Sequence, residues 1–194
     1  RGLDKRRDEI RSLIDAQEKL TDEINLALDK AVTLSELEDI YRPYRPKRKT
    51  RASIAKEKGL EPLANDILKQ EKGFDPSKSA VDYIDEEKGV TSVEDAIQGA
   101  MDIIAELVSD NAEIRKRIRN LTNANGVLVS VATDEEKDSV YKNYYDYKEP
   151  VKKIAGHRVL AVNRGEKEGF LKVSVETDSE KPLNSIFRAM ITDK

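Results

Sequence analysis

The chain has 194 residues, with 35 Lys and Arg against 38 Asp and Glu for a formal net charge of −3; 38% of it is charged, 38% apolar and 5% aromatic. This balance suits a helix-rich protein with long solvated faces and argues against a sandwich or barrel, which leans on aromatic and β-branched residues. With no cysteine and one histidine (His157), disulfides and thiolate sites are excluded, any metal site would have to be mostly carboxylate, and a reducing compartment fits.

No apolar run approaches the roughly 20 residues of a bilayer span, and no signal-peptide pattern opens the chain. It begins Arg1-Gly2 and enters a helical pattern at once, as expected of a piece of a longer protein. Leu3, Ile10, Leu13, Ile14 and Gln17 fall on one side of a first helix. Thr21 reads as the N-cap of a second, carrying Ile24, Leu26 and Leu28. Thr33-Leu34-Ser35-Glu36 is a capping box in front of Leu37, Ile40 and Tyr41. Pro43 and Pro46 are expected to stop that third helix, since the residue before each is pushed out of the α region.

Helical periodicity resumes at Ala52 and runs to Gly59, a C′ candidate; Pro62 then suits the first turn of a helix reaching about Gln70. A short helical piece is expected over 80–84. A second capping box, Thr91-Ser92-Val93-Glu94, opens the longest element, striped by Ala96, Ile97, Ala100, Met101, Ile104, Leu107 and Val108. Ser109-Asp110-Asn111 breaks it, and a further helix with Ile114, Ile118 and Leu121 ends near Gly126. The character then changes. Strands are expected near 127–132, 157–163 and 170–176, the last two as a hairpin with Gly165 and Gly169 in its turn. Tyr141, Tyr144, Tyr145 and Tyr147 cluster between them as a packing plug, and Leu183 to Met190 begins a last helix whose partners are expected outside the chain. The fold class is mainly α with a small antiparallel sheet: a bundle-like helical region over 1–126, then a mixed segment over 127–194.

Enzyme signatures are absent: no phosphate loop, nucleophile elbow, HExxH or kinase set. The acidic triplets at 85–87 and 134–136 are consecutive rather than helically spaced and read as solvated loop charge. His157 has no identifiable nucleophile or orienting partner. Asn120-Leu121-Thr122 matches a glycosylation sequon but falls inside a predicted helix. No catalytic residue, metal site, cofactor or small-molecule substrate is expected.

The concentrated signal is YRPYRPKRKTRASIAKEK over 41–58, with eight cations and one carboxylate, +7 in an acidic chain. The candidate site residues are Tyr41, Arg42, Tyr44, Arg45, Lys47, Arg48, Lys49 and Arg51. The cations suit phosphates, the two tyrosines suit stacking on unpaired bases, and the prolines hold the loop extended. PKRKTR also has the look of a nuclear-import peptide. Arg115 and Arg119, one helical turn apart, form a second cationic stripe with Lys116 and Arg117, and Lys152, Lys153 and Arg158 a weaker third. Two destinations stay open for the loop's charge. One is a polyanion; the other is the acidic first 40 residues, net −4, which could neutralise the loop within the fold.

LSELEDIYRPYRPKRKTRASIAKEKGLEPLA, followed by YYDYKEPVKKIAGHRVLAVNRGEKEGFLKV, resembles the bacterial Tex family of transcription accessory proteins, in the same order and through most of the chain. The resemblance implies a large cytoplasmic protein with an N-terminal helical region, an RNase H-like domain, helix-hairpin-helix elements and a C-terminal OB-fold RNA-binding domain. This chain would cover part of the helical region, before the RNase H-like domain. RNA or another single-stranded nucleic acid is the implied partner, mainly through domains elsewhere in the protein, with the transcription machinery as a further partner. The resemblance places no catalytic residue in the chain.

Overall fold

The computed structural model describes residues 2–192. These divide into two compact units, one of residues 2–115 with 188–192 and one of residues 116–187. The chain is mainly helical, with one three-stranded antiparallel sheet.

In the first unit, α1 (Gly2–Asp15), α2 (Asp22–Lys30) and α3 (Leu34–Tyr41) close over Ile10, Ile14, Leu28, Ala31, Leu37 and Tyr41. Their starts follow the local chemistry: the Thr21 hydroxyl accepts the Ile24 N–H, and Thr33 and Glu36 form the reciprocal capping box. A second core lies among α4 (Arg51–Glu57), α5 (Glu61–Lys69), α6 (Pro76–Ala80) and α7 (Val93–Asp110). Much of it is small: Ala52 and Ala55 of α4 face Ala96 and Ala100 of α7, and a Cβ at Gly99 would collide with Leu60. Small side chains let these two helices approach closely. Gly59, at φ +82°, ends α4, with the Leu60 N–H donating to the Ala55 carbonyl.

Three local expectations shift. Arg42 stays in the α region despite preceding Pro43, so α3 continues into a single 3₁₀ turn (Arg42–Tyr44), and the stop comes at Arg45, which is extended before Pro46. The N-cap of α7 is Ser92 rather than Thr91; Thr91 bonds Asp95 from one position earlier. The short helical piece is centred earlier, α6 plus a 3₁₀ turn at Val81–Tyr83, because Asp75 caps it with Pro76 in its first turn.

The second unit contains most of α8 (Ala112–Asn125), then β1 (Val127–Ala132), β2 (Asp146–Pro150), α9 (Gly156–Lys167) and β3 (Leu171–Glu176). The sheet order is β2-β1-β3, all antiparallel, with Ser130 opposite Tyr147 on one side and Val173 on the other. The strand expected over 157–163 is a helix, α9, so the 157–163/170–176 hairpin does not form and β1 is the partner of both other strands. HRVLAVN misleads for physical reasons. Its Leu160 points to solvent, which blurs the helical stripe, and Ala155 caps α9 without a side-chain bond, so no start signal exists. Gly165 is not a turn residue but a buried contact point of α9, whereas Gly169, at φ +78°, follows the helix end. Tyr141, Leu128, Val162 and Leu171 form the core, flanked by Tyr144, Tyr145 and Tyr147, and the same tyrosine-rich stretch supplies edge strand β2. The last helix is α10 (Glu180–Met190); beyond it the Gln70 amide brackets the chain, donating to the Met190 carbonyl and accepting the Thr192 N–H.

A Cβ at Gly165 would stand 2.6 Å from Leu171 Cδ1 and 3.0 Å from Tyr141 Cγ. Overpacking of this kind costs about 1–3 kcal/mol, enough to cancel or exceed the roughly 1 kcal/mol that alanine gains over glycine inside a helix. Gly165→Ala is therefore expected to lower the thermal midpoint. Gly156→Ala, at the open first position of the same helix with nothing within 4 Å, leaves it unchanged or raises it. Calorimetry of the two variants checks both signs.

Candidate nucleic-acid interface

The basic loop joins α3 to α4, fixed at one end by the 3₁₀ turn over Pro43 and at the other by Thr50, whose hydroxyl accepts the Ser53 N–H while Ser53 Oγ accepts the Thr50 N–H. Facing it is α7, with Asp102, Glu106 and Asp110 spaced four residues apart. That spacing puts the three carboxylates on one helix face, about 6 Å apart along the axis. The loop and this face enclose an open groove of about 490 Å³.

Most loop cations already have carboxylate partners. Arg42 Nε lies 2.8 Å from Asp110 Oδ1, and Lys47 Nζ bonds the other oxygen of the same carboxylate. Lys47 is also 3.4 Å from Glu106, whose second oxygen accepts the Thr50 hydroxyl at 3.0 Å. Arg45 pairs with Glu38, which also receives Arg6 at 2.7 Å. The Arg6 and Arg45 guanidinium carbons each lie 5.7 Å from the Tyr41 ring centroid, a cation–π arrangement around a buried ring. Tyr44 packs against the same core and its carbonyl accepts from Gln17. Towards the outer end the pairing thins. Lys49 is 3.4 Å from an exposed Glu57, Arg51 is 3.6 Å from Asp102 with 84% of its side chain open, and exposed Arg48 has no ion-pair partner among the described residues.

Asp110, 8% exposed, and Asp39, 5% exposed, are the two buried carboxylates of this unit. Asp39 of α3 receives Arg115 Nε of α8 at 2.6 Å, and Arg115 also donates to the Ser109 carbonyl. Two acids thus tie the same junction in opposite directions, Asp110 reaching from α7 to the loop and Asp39 from α3 to α8. Arg119, further along α8, is half-buried and not free either.

Sequence alone does not mark the carboxylates that take these cations. The available signal was the i, i+4, i+8 acid spacing on α7; Asp110 reads there as part of a helix-breaking triplet, which conceals it. Elsewhere, Arg158 Nη1 lies 2.9 Å from both oxygens of Glu149, which also accepts the Tyr147 hydroxyl, so this third cationic cluster is partly tied to β2. The described residues contain no group of three or more His, Asp and Glu side chains able to hold a metal, and none of their helices is long and apolar enough to cross a membrane.

The Arg6 hydrogen bond, joined by Arg45 and opposed by partial burial, holds the Glu38 carboxyl below its ordinary value. Asp85 (through Lys88), Asp95 (through Thr91) and Glu149 (through Tyr147) are lowered likewise. A depressed folded-state pKa stabilises the fold above the unfolded value, about 4.3 for glutamate, and that contribution disappears as pH falls through the lower folded value. Urea stability is therefore expected to decline as pH drops below about 4.5, and Glu38→Gln to flatten part of that decline while lowering stability at pH 7. Denaturation midpoints between pH 7 and 3 measure both effects.

Residues 71–194 match the family described as Tex central region-like. Over 92% of its length the chain is 47% identical to the Bacillus subtilis protein YdcI, covering 25% of that protein. It is 35% identical over 91% to the transcriptional accessory protein Tex of Neisseria gonorrhoeae, covering 23% of it. It is 27% identical over 81% to the human S1 RNA-binding domain-containing protein 1, covering 16%. The chain thus spans about a quarter or less of the relatives it matches. With the family model covering well over half its residues, and the basic-loop signature in place upstream of that match, the chain belongs to the Tex family.

Proposed function

We propose that this region is a non-catalytic scaffold within a cytoplasmic, Tex-type, nucleic-acid-binding transcription accessory protein. In it the inner cations of the basic loop hold helices together, and the outer ones offer a sequence-independent contact to RNA or another single-stranded polyanion. The observation that carries the reading is Asp110, one buried carboxylate receiving both Arg42 and Lys47. A buried carboxylate must be paired to be tolerated, and truncating one partner of such a pair is far more costly than losing a surface pair.

The same reasoning sorts the candidate residues. Arg42, Arg45, Lys47 and Arg115 serve the scaffold, and Tyr41 and Tyr44 serve the core beneath it. Arg48, Lys49 and Arg51 remain for phosphates, which they would meet as a short row of charge carrying no sequence information. The names of the gonococcal and human relatives, a transcriptional accessory protein and an S1 RNA-binding domain-containing protein, support transcription and RNA as the setting. Three contacts give modest affinity. Tight binding would come from the remainder of the longer protein, and any contact with the transcription machinery would be arranged around this rigid corner.

Anisotropy titration of the chain against single-stranded RNA at several salt concentrations tests this. Three phosphate contacts predict a log–log slope of about −2, at roughly −0.7 each. Arg48→Ala/Lys49→Ala/Arg51→Ala should flatten the slope to near zero with little change in thermal midpoint. A chain that does not bind, or whose slope survives the triple substitution, refutes the RNA role of the outer loop.

A further inference from the structure

Resting on that reading, we infer that the seam between the loop and its acids is an autoinhibitory latch: Glu38, Glu106 and Asp110 occupy Arg42, Arg45 and Lys47 and withhold them from polyanions. The loop then has two layers. The outer row stands open, while the inner three cations form a cryptic phosphate-binding surface, uncovered when the acids are neutralised or drawn to another cationic surface.

Four observations converge. The three withheld cations belong to one nine-residue loop, so that release would present them beside Arg48, Lys49 and Arg51 as a continuous basic stretch. Each is held by carboxylates outside the loop: Glu38 lies in α3, and Glu106 and Asp110 in α7. The groove between loop and α7 is open, and ion pairs to Glu106 and Asp110 span it. Finally, Arg42 and Arg45 retain about half of their side-chain exposure while paired, so their heads sit at the rim, where a phosphate could reach them once their acids let go. Two adjacent elements limit what can move. Thr50 ties the loop end to Glu106 as well as to α4, and Tyr41 is locked in the α1–α3 core, so any opening is confined to residues 42–49.

The test is the triple variant Glu38→Gln/Glu106→Gln/Asp110→Asn, which preserves side-chain volume while removing the competing charge. Each additional phosphate contact on single strands multiplies the ratio of affinities at 50 and 200 mM salt by about 2.6. Three released cations should therefore raise that ratio by roughly 18-fold against the unsubstituted chain, on an oligouridine probe. A control with equal charge change far along the sequence, Asp134→Asn/Glu135→Gln/Glu136→Gln, should not reproduce the rise. Equal gains in both variants would reduce the effect to net charge and overturn the latch.

If the triple variant does not fold, Glu106→Gln/Asp110→Asn releases two cations, with about a sevenfold rise expected. The complementary arm removes the buried acid together with its two cations: Arg42→Gln/Lys47→Gln/Asp110→Asn should keep the unsubstituted chain's salt slope on oligouridine, since those cations are withheld there. A flattened salt slope in that variant would mean they already serve RNA, and the latch would be wrong even though the outer row still bound. Failure of the outer-row reading is separate, appearing as an unsubstituted chain whose binding ignores Arg48, Lys49 and Arg51.

Discussion

The pairing of a basic loop with an acidic helix face governs how the first unit is built. Seven net positive charges within eighteen residues repel one another, and a loop carrying two prolines cannot relieve that by folding into a helix. The acid row on α7 supplies the compensating field. Because Asp110 is nearly buried, its attraction to Arg42 and Lys47 is far less screened than that of a surface pair. The reciprocal pair, Asp39 with Arg115, ties the same junction from the other side. The α1–α3 core and the α4–α7 core each close on their own apolar residues; these two buried acids then fix how the connecting loop runs between them.

Much of this organisation was legible. Threonine caps at 21 and 33, the positive-φ glycine at 59 and the apolar stripe of α7 are local chemistry, and local chemistry is written in consecutive residues. What could not be read was tertiary. Whether Arg42 faces phosphate or Asp110 depends on a residue 68 positions away, and nothing near either one announces the other. The early acidic helices supply part of the neutralising charge, through Glu38, but the larger share comes from α7, whose acids interleave with an apolar stripe.

The second unit failed in another way. The short apolar run with two valines in HRVLAVN satisfies a strand pattern, and Gly165 and Gly169 look like turn residues. In the fold Gly165 is where α9 approaches Leu171 most closely, a role defined only by the partner it touches. β2 is hard to see in sequence because the tyrosines do act as a packing plug, while Tyr147 also sits in a charged strand, DYKEP, whose Pro150 is tolerable on an edge.

Exposure along the loop gives the arrangement a direction. Its carboxylate anchors are Asp110, almost enclosed, Glu106 and Glu38, about a quarter open, and Glu57, largely in water; Arg51, 84% open, stands 3.6 Å from the mostly covered Asp102. Coulomb attraction strengthens as water is excluded and as the charges approach, so the grip is firmest on Arg42 and Lys47 at Asp110 and loosest on Lys49 and Arg51, whose pairs are longer and whose cations are mostly in water. A uniformly buried loop would be a pure strut, and a uniformly exposed one would be a flexible basic arm with a large ordering cost on binding. The graded case combines the two: the inner pairs immobilise the backbone, and the outer side chains are presented already positioned, so contact with an anion need order only the side-chain ends.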